Sequence, residues 1–388
     1  MPRHNRNTLA LQMAFLTFFA QNAICFSLRK ARFLKLTSFP HPQIRIPRFH
    51  MVSILIAARN EEGNILSCLQ SLARISYPAE ELEILIGDDN STDNTAAIVQ
   101  AFVQDKPHFR YQKITRNLGL ARGKANVLAH LARAARGEFF LITDADTTVP
   151  PGWVQTMLAA VGPGVGVLGG MTVPHITSLW TALQAVDWIQ AFGCIHLLGR
   201  FGVPISAAGN NMLLTREAYE ATGGYENLPP SVSEDHQMFG EVTGRGYGFR
   251  QLFGPGIAVE TGAMPGLSGL MTQRKRWMNA ALQTPWPVRL LTVLPLALLP
   301  VMLASVLSNP AGSLSAWTLL LAVQAVFALV CVSLLKTKKL YKYVLLYPVY
   351  FHLSTFATLI HFLLPTPVRW KGRMLKYDLR GAKCELGD

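Results

Sequence analysis

Charged side chains are scarce in this chain of 388 residues: only 15% are Asp, Glu, Lys or Arg, and 50% are hydrophobic. A soluble globular domain carries about 25% charged residues, so the deficit indicates membrane segments. The length leaves room for one sizeable folded domain beside them.

Cysteine is also sparse and scattered along the chain. The five cysteines are Cys25, Cys68, Cys194, Cys331 and Cys384, and no two of them form a C-x-x-C pair. This spacing suggests neither a zinc site nor a disulfide framework, and it fits a reducing compartment.

Two nucleotide-binding signatures are absent or misplaced. The segment "GLARGKA" is no phosphate-binding G-x-x-x-x-G-K-[ST] loop, because its glycine spacing is too short and Ala125 stands where Ser or Thr is required. Residues 164–169, "GVGVLG", match G-x-G-x-x-G, but they lie inside a β-like run instead of opening a helix. We expect these glycines to permit close backbone approach, and an NAD-dependent dehydrogenase ranks third among the functional alternatives.

Acidic residues are outnumbered by basic ones, with 23 Asp and Glu against 36 Lys and Arg. Basic clusters follow apolar stretches at 29–35, 336–342 and 369–383. Such clusters are typical of cytoplasmic anchors near anionic lipid. No cluster belongs to a recognisable nucleic-acid module, so we expect no nucleic-acid partner.

Apolar segments lie at both ends of the chain. Residues 8–28 predict an uncleaved N-terminal anchor, with a cleaved signal peptide as the alternative. Leu290–Leu307, Leu314–Leu335 and Tyr343–Leu364 are uncharged, and each is close to the roughly 20 residues that cross a bilayer. We predict transmembrane helices in both terminal regions.

Between these segments, short apolar runs alternate with helical patterns. The runs "MVSILIAA", "LEILIGDD", "FRYQKI" and "EFFLITDAD" predict strands, and "GKANVLAHLARAA" predicts a helix. Buried strands that alternate with helices indicate a mainly parallel sheet in an α/β fold. The predicted divisions are an anchor with linker, a catalytic domain, transmembrane segments and a basic cytoplasmic tail, at 1–50, 51–285, 286–364 and 365–388.

Paired acids follow two of these strands, at the edge where α/β sheets bind ligands. Asp88 and Asp89 either serve helix capping or accept hydrogen bonds from a base or ribose. Asp144 and Asp146 form a D-x-D, which is either a polar turn or a holder of Mg2+ or Mn2+ beside substrate phosphates. An ion there would neutralise a diphosphate leaving group.

Three further segments carry polar groups with two interpretations each. Glu61 either favours a helix N-terminus or lies at the mouth of the same cleft. Lys124 follows Gly123 at a helix start, where a cation is either solvated or meets phosphate. Glu234 and Asp235 suit a first helical turn, but a carboxylate at a cleft can also accept a proton from a hydroxyl nucleophile.

Gln273, Arg276 and Trp277 are spaced Q-x-x-R-W, which suits either an amphipathic approach to a membrane or one wall of a sugar site. In order, "VSILIAARNEEGNI", "DDNSTDNT", "ARGKANVL", "TDADT", "AAGNNMLLTREAYEATGGY", "SEDHQM" and "QRKRW" resemble the family 2 glycosyltransferases with a GT-A fold. The resemblance covers roughly residues 51–285 plus the tail, and it implies a Rossmann-like catalytic domain.

The resemblance also implies a nucleotide-sugar donor, a divalent cofactor (Mg2+ or Mn2+) and inversion at the anomeric carbon by direct displacement. It makes Asp235 the general base, with Glu234 and Arg276 as the other catalytic residues, and it assigns the metal to Asp144 and Asp146. The donor-binding residues carried over by position are Ala57, Glu61, Asp88, Asp89, Lys124, Asp144, Gln273 and Trp277.

Similar motifs occur in processive polysaccharide synthases and in membrane enzymes that glycosylate lipids. Processive enzymes usually have more membrane helices than the one to four predicted here. We therefore expect one sugar, from a UDP-sugar, to be added to a membrane lipid or lipid-linked acceptor. The alternatives are a processive polysaccharide synthase and, in another class, a non-catalytic membrane scaffold with a degenerate GT-A domain.

Nucleotide sugars are cytoplasmic, so we expect a multi-pass protein of the inner (cytoplasmic) membrane with its catalytic domain in the cytoplasm. The basic stretches at 336–342 and 369–383 both favour the cytoplasmic side, which a single span between them does not satisfy. Either one segment is re-entrant or interfacial, or one basic stretch lies outside.

Overall fold

The chain divides into two compact units in a computed structural model. The described residues are 49–231, 233–282, 284 and 286–364, with the backbone of Val368–Trp370, Arg373–Lys376 and Glu385–Leu386. The sheet unit comprises the described residues up to His175, Leu198–Gly262 and the described backbone segments from Val368 to Leu386. The helical unit comprises Ile176–Leu197 and the described residues from Ala263 to 364.

A seven-stranded sheet forms the centre of the sheet unit, beside a two-stranded sheet of β6 and β9. The strands are β1 Val52–Ala58, β2 Leu82–Asp88, β3 Phe109–Lys113, β4 Phe139–Asp144, β5 Val165–Gly169, β6 Met171–Pro174, β7 Met212–Thr215, β8 Gly248–Gln251 and β9 Ala258–Thr261. The order across the large sheet is β3-β2-β1-β4-β7-β5-β8. Only β7 runs antiparallel to its neighbours, β4 and β5, so the sheet is mainly parallel, as predicted.

The central strands are buried on both faces. Every residue of β2 is buried, and only Ala57 of β1 is partly exposed. Strands covered on both faces need apolar residues at nearly every position, which explains the continuous runs "VSILIAA" and "LEILIG". The run "VGVLG" is strand β5, and Gly166 there permits close packing, since a Cβ on it would lie 2.7 Å from the Ala218 Cβ.

Helices connect and cover the strands. They are α1 Ile65–Leu72, α2 Thr95–Val103, α3 Gly123–Ala134, α4 Trp153–Ala159, α5 Leu179–Arg200, α6 Arg216–Ala221, α7 Glu234–Gly244, α8 Leu267–Ala281, α9 Trp286–Ser308, α10 Pro310–Leu334 and α11 Tyr347–Leu363. Helix α3 packs on β1 and β2, where Val127 and Leu131 join one apolar core with Leu55 and Leu85. Gly87 allows this approach, because a Cβ there would lie 2.3 Å from Cγ1 of Val127.

The helical unit is tied together by polar side chains. Asp187 of α5 pairs with Arg274 of α8 and accepts a hydrogen bond from the Tyr347 hydroxyl of α11 at 3.1 Å. Lys275 donates to the carbonyl oxygen of Leu364 at 2.8 Å. Helix α8 is therefore bonded both to α5 and to the end of α11.

The prediction of several C-terminal transmembrane helices is not supported. Helices do form at all three apolar stretches, but among the described residues only Pro310–Leu334 is both long and apolar enough to cross a membrane. The apolar part of α9 is limited to Thr292–Ser308. Helix α11 has 17 residues, or about 26 Å against a hydrocarbon core of about 30 Å.

Two other predictions lie beyond what the structure tests. The N-terminal anchor at 1–50 falls almost wholly outside the described residues, as do the side chains of the basic tail at 365–388. The boundaries at 51–285 and 286–364 stay predictions. The compact units instead divide after His175, Leu197 and Gly262.

Candidate active site

Acidic groups gather where neighbouring parallel strands end. Ala57 of β1 lies in register with Gly87 of β2 and with Asp144 of β4, and Asp88 lies beside Ala58. Parallel strands present their carboxyl ends at one edge of a sheet, which is where ligands bind in such folds. The two acidic motifs therefore share one edge of the sheet unit.

Asp88 is buried, and two donors hold its carboxylate. Its Oδ1 accepts from the N–H of Ser91 at 2.9 Å, and its Oδ2 accepts from the Tyr111 hydroxyl at 3.0 Å. Burial, and then the contact with Asp88, raise the pKa of Tyr111 to about 12. The phenol thus stays a donor at neutral pH and keeps the carboxylate in one orientation.

The loops that follow β1 and β2 are bonded to each other. Arg59 donates to the carbonyl oxygen of Asp89 at 2.6 Å, and the N–H of Glu61 donates to Oγ1 of Thr95 at 2.7 Å. The Glu61 carboxylate is buried and accepts from Nδ2 of Asn64 at 2.9 Å. The predicted donor-binding acids of these two loops therefore belong to one connected rim.

Lys124 joins acids from separate parts of the chain. Its Nζ lies 2.5 Å from Oδ1 of Asp144 and 3.0 Å from Oε1 of Glu234. Burial by itself would lower the pKa of Lys124, but the charges of Asp144, Glu234 and Asp235 outweigh burial and raise it. The ammonium group is therefore charged at neutral pH and offsets the repulsion among these carboxylates.

The loop before α3 sets the position of Lys124. Gly119 has a φ of 50°, and a Cβ on it would lie 2.3 Å from the carbonyl oxygen of Glu226, so glycine is required there. The N–H of Leu120 donates to the same carbonyl oxygen at 2.7 Å. Gly123, with a φ of 56°, then begins the helix whose first turn carries Lys124.

Asp144 and Asp146 repel each other across the D-x-D. Burial, and then the charge of Asp144, raise the pKa of Asp146 to about 6, while Lys124 lowers it. A divalent cation would relieve this repulsion, and it prefers carboxylate and phosphate oxygens. Within the described part of the chain, no three Asp, Glu, His or Cys side chains gather as metal ligands. The pair therefore fits a cation that takes its remaining ligands from a diphosphate.

Asp235 is oriented by two backbone amides. Gly209 donates to its Oδ2 at 2.7 Å, and His236 donates its own N–H to Oδ1 at 2.7 Å. Each carboxylate oxygen keeps a lone pair for one more donor. The adjacent Glu234 is enclosed, and burial raises its pKa although Lys124 acts in the opposite direction.

Gly209 is a site residue that sequence reasoning did not single out. A Cβ on it would lie 2.9 Å from Oδ2 of Asp235 and 3.0 Å from Nζ of Lys124. Its carbonyl oxygen also accepts from Lys124 at 3.4 Å. Gly209 therefore contacts both Asp235 and Lys124, and Lys124 in turn pairs with Asp144 of the D-x-D.

Two asparagines fix the segment that contains Gly209. Oδ1 of Asn210 accepts from the Thr172 hydroxyl at 2.8 Å, and Oδ1 of Asn211 accepts from the Trp153 indole N–H at 2.9 Å. Both asparagines are buried, and a satisfied buried polar network holds its backbone rigidly. The sequence signal was available, since "GNN" places polar residues directly before the apolar strand β7.

Tyr225 is a second residue that sequence reasoning missed. Its side chain is 1% exposed, and its hydroxyl has no hydrogen-bond partner among the residues that the structure describes. Burial raises the pKa of Tyr225, and among the charged groups Glu234 raises it most. Buried polar groups in native proteins are almost always bonded, so an unbonded hydroxyl beside carboxylates marks a position that a ligand can complete.

The Q-x-x-R-W residues lie on α8, in the helical unit. The ring of Trp277 packs edge-on against the ring of Trp188, with centroids 5.0 Å apart. Trp277 is 39% exposed. The roles assigned to Gln273, Arg276 and Trp277 stay predictions.

Comparison with protein families accounts for nearly the whole chain. The model of Glycosyl transferase family 21 matches residues 14–382. The chain belongs to this family. The family 2 assignment made from short motifs is not confirmed, because motifs common to one fold do not separate the families that share it.

Two relatives of this chain carry names that state an activity. Beta-monoglucosyldiacylglycerol synthase of Synechocystis sp. is 26% identical over 251 residues, which cover 64% of this chain and 49% of that protein. Poly-beta-1,6-N-acetyl-D-glucosamine synthase of Staphylococcus aureus is 26% identical over 240 residues, which cover 61% and 56%. The chain thus spans about half the length of the curated relatives it matches.

A solved structure supports the fold. The mannosyltransferase PcManGT from Pyrobaculum calidifontis, in complex with GDP-Man and Mn2+, aligns with 90% of this family 21 chain and 99% of its own. The TM-score is 0.57 at 19% identity. The likeness confirms the mainly parallel α/β sheet that the strand pattern predicted and the GT-A-like fold that the motif resemblance implied.

Proposed function

We propose that this chain moves a sugar from a nucleotide-sugar donor to a hydroxyl of a membrane lipid or lipid-linked acceptor, with inversion at the anomeric carbon. One observation carries this proposal. Lys124 pairs with Asp144 and Glu234, and the neighbouring Asp235 is held by the N–H of Gly209. This arrangement combines an acidic pair suited to a diphosphate and its cation with a separate, oriented carboxylate.

Asp235 is the proposed base. Its carboxylate accepts the proton of the acceptor hydroxyl while that oxygen forms a bond to the anomeric carbon. The bond from the anomeric carbon to the diphosphate breaks on the opposite face, and its electron pair goes to the diphosphate oxygen. A general base of this kind contributes roughly 10²- to 10⁴-fold to the rate.

The D-x-D is proposed to serve the leaving group. Asp144 and Asp146 would hold Mg2+ or Mn2+, whose charge stabilises the departing diphosphate. Lys124 supplies a fixed positive charge beside them, and Arg276 is proposed as a second cation for the same group. The mannosyltransferase of similar fold was solved in complex with Mn2+ and GDP-Man, which supports a divalent cofactor and a nucleotide-sugar donor.

The rim of the sheet edge is proposed to bind the nucleoside. Asp88 and Glu61 offer carboxylate oxygens, Asp89 belongs to the same rim, and Ala57 lies at the end of β1 beside Asp144. Carboxylates can accept hydrogen bonds from ribose hydroxyls and base N–H groups. A UDP-sugar is the expected donor, and Gln273 and Trp277 are proposed to contact it from α8.

A lipid acceptor is favoured by the relative named as a glucosyldiacylglycerol synthase. Apolar helix α10, at Pro310–Leu334, is long enough to cross a membrane, which fits an acceptor delivered from the bilayer. We accordingly propose a location at the inner membrane, with the sheet unit in the cytoplasm. The relative named as a poly-GlcNAc synthase keeps a processive polysaccharide synthase as the second candidate.

The test is sugar transfer by the full chain in membranes, supplied separately with UDP-sugars and GDP-sugars. Mass spectrometry of the lipids should show a gain of one sugar that depends on the chain and on divalent cation. EDTA should abolish the transfer, and added Mn2+ or Mg2+ should restore it.

Asp235→Asn serves as the catalytic control, because it keeps the shape of the side chain but removes the base. Turnover equal to that of the unsubstituted chain would eliminate the proposed mechanism. Transfer no greater than in membranes without the chain would favour the non-catalytic scaffold. A polymer product in place of a singly glycosylated lipid would favour the processive synthase.

A further inference from the structure

Lys124 already contacts one of the carboxylate oxygens that the D-x-D would offer to a metal ion. Its ammonium lies 2.5 Å from Oδ1 of Asp144 and 3.0 Å from Oε1 of Glu234. The Lys124 side chain is only 14% exposed, so these acids enclose it. The loop bond between Leu120 and Glu226, described above, fixes the start of the helix that carries it.

The charge of Lys124 acts against a second cation in the same place. Like charges a few ångströms apart repel, and the repulsion is strongest where little water separates them. Lys124 also offsets the mutual repulsion of Asp144 and Asp146, which would otherwise favour binding of a divalent ion. The lysine therefore competes with a divalent ion for Oδ1 of Asp144 and weakens the attraction that the acidic pair exerts on such an ion.

A nucleoside diphosphate changes this balance. It brings negative charge and phosphate oxygens, which both a divalent cation and a lysine bind. In the described residues no third side chain joins the pair as a metal ligand. A cation held by only one or two carboxylates commonly takes substrate phosphate oxygens as further ligands. Lys124 would then bind a phosphate oxygen in place of Asp144, and Asp144 would bind the cation.

We propose that Lys124 keeps the Asp144–Asp146 pair closed to divalent cations until a nucleoside diphosphate arrives, so that cation and nucleotide bind together. This inference rests on the proposed function and concerns the order of binding at the same site. It assigns Lys124 a role before catalysis, in addition to any contact with the leaving group.

The test measures Mn2+ binding to the purified full chain by electron paramagnetic resonance and calorimetry, without nucleotide and with UDP or GDP. The unsubstituted chain should bind Mn2+ at least about tenfold more tightly when the matching nucleotide is present, a coupling of about 1.4 kcal/mol. Lys124→Met should bind Mn2+ alone at least about tenfold more tightly than the unsubstituted chain, and the effect of nucleotide should shrink.

Lys106→Met is the matched control, because it removes a lysine outside the proposed site whose ammonium pairs with the exposed Asp105. It should leave both Mn2+ affinities unchanged. Lys124→Gln provides a second variant if Lys124→Met unfolds, and Asp144→Asn should abolish Mn2+ binding in either background.

Three results would overturn the inference. They are Mn2+ affinity in the Lys124 variants no higher than in the unsubstituted chain, equal Mn2+ affinity with and without nucleotide, and an equal gain in Lys106→Met. A chain that binds no Mn2+ with either nucleotide and transfers no sugar would instead remove the proposed function. The failure of the inference and the failure of the function are therefore distinguishable.

Discussion

The backbone N–H of Gly209 donates a 2.7 Å hydrogen bond to Oδ2 of Asp235. The bond joins the segment before β7 to the first turn of α7, and the carbonyl oxygen of the same glycine accepts from Lys124. The orientation of the proposed base therefore depends on a residue without a side chain. A Cβ on it would lie within 3.0 Å of both Asp235 and Lys124, so one of these side chains would have to move.

Gly209→Ala should lower kcat by about 100-fold or more while the chain stays folded, since a displaced catalytic group costs rates of this order. The added methyl would meet Asp235 at 2.9 Å and Lys124 at 3.0 Å. Gly240→Ala is the matched control, because a Cβ on Gly240 of α7 would meet nothing within 4 Å. Kinetics and thermal melting of both variants provide the comparison, and equal kcat values would contradict the expectation.

Tyr225→Phe should reduce transfer about tenfold without lowering the melting temperature. The hydroxyl that it removes is buried and lacks a partner among the described residues, so its loss costs the fold no hydrogen bond. Tyr219→Phe is the contrasting variant, because the Tyr219 hydroxyl accepts from the N–H of Tyr225 at 3.2 Å. We expect that variant to melt earlier. Unchanged transfer in Tyr225→Phe would show that no ligand uses the hydroxyl.

Asp146→Asn should stabilise the metal-free chain at alkaline pH. Burial and Asp144 raise the pKa of Asp146 from 3.8 to about 6, so the folded state binds this proton more tightly than the unfolded state does. Stability contributed by the protonated group is present below pH 4 and is lost as pH rises through 6. The substitution should therefore raise the free energy of unfolding by roughly 1–3 kcal/mol at pH 8, with little effect at pH 4.

The measurement is denaturant unfolding in EDTA across this pH range. The same variant should lose nucleotide-dependent Mn2+ binding, because it removes one of the two proposed ligand carboxylates. A variant that is less stable than the unsubstituted chain at pH 8 would show that the carboxylate of Asp146 supports the fold instead of straining it.

Asp187→Asn should destabilise the helical unit by about 3 kcal/mol or more, because breaking a buried ion pair leaves its partner uncompensated. Asp187 and Arg274 have side chains only 10% and 11% exposed. Glu220→Gln is the control at the exposed pair with Arg216, where a loss of at most about 1 kcal/mol is expected. Thermal unfolding of the full chain in detergent compares them.

A double variant sharpens this last expectation. Asp187→Leu combined with Arg274→Met replaces both charges by apolar side chains of similar length, and it should recover stability relative to Asp187→Asn alone. A double variant that is less stable than Asp187→Asn would mean that the ion pair stabilises the unit by more than the cost of leaving Arg274 unpaired.

Local sequence pattern was enough to predict the strands and the acids that end them. The runs that form β1, β2 and β4 are short, apolar and flanked by polar turns, and this pattern depends only on near neighbours in the chain. Both faces of β1 and β2 are covered, so their sequences are apolar at nearly every position and do not show the polar face of an amphipathic helix. The strand ends at Asp88 and Asp144 were predictable for the same reason.

Hydropathy was less reliable for the C-terminal helices. It predicted three spans, whereas the described structure holds one helix long and apolar enough, Pro310–Leu334. The uncharged stretch at Tyr343–Leu364 forms only a 17-residue helix, in which His352 and Thr355 are buried. A count of uncharged residues does not reveal where a helix begins or which polar groups it packs inward.

The sequence by itself determined the α/β sheet, the acidic strand ends and the polar "GNN" segment, since each follows from residues close together in the chain. Only the tertiary structure decided that Asp144, Lys124, Glu234 and Asp235 form one cluster. The physical reason is that β7 runs antiparallel to β4, with Met212 beside Ile142. The start of β7 therefore lies at the end of β4, and the nearby Gly209 accepts a hydrogen bond from Lys124, the partner of Asp144.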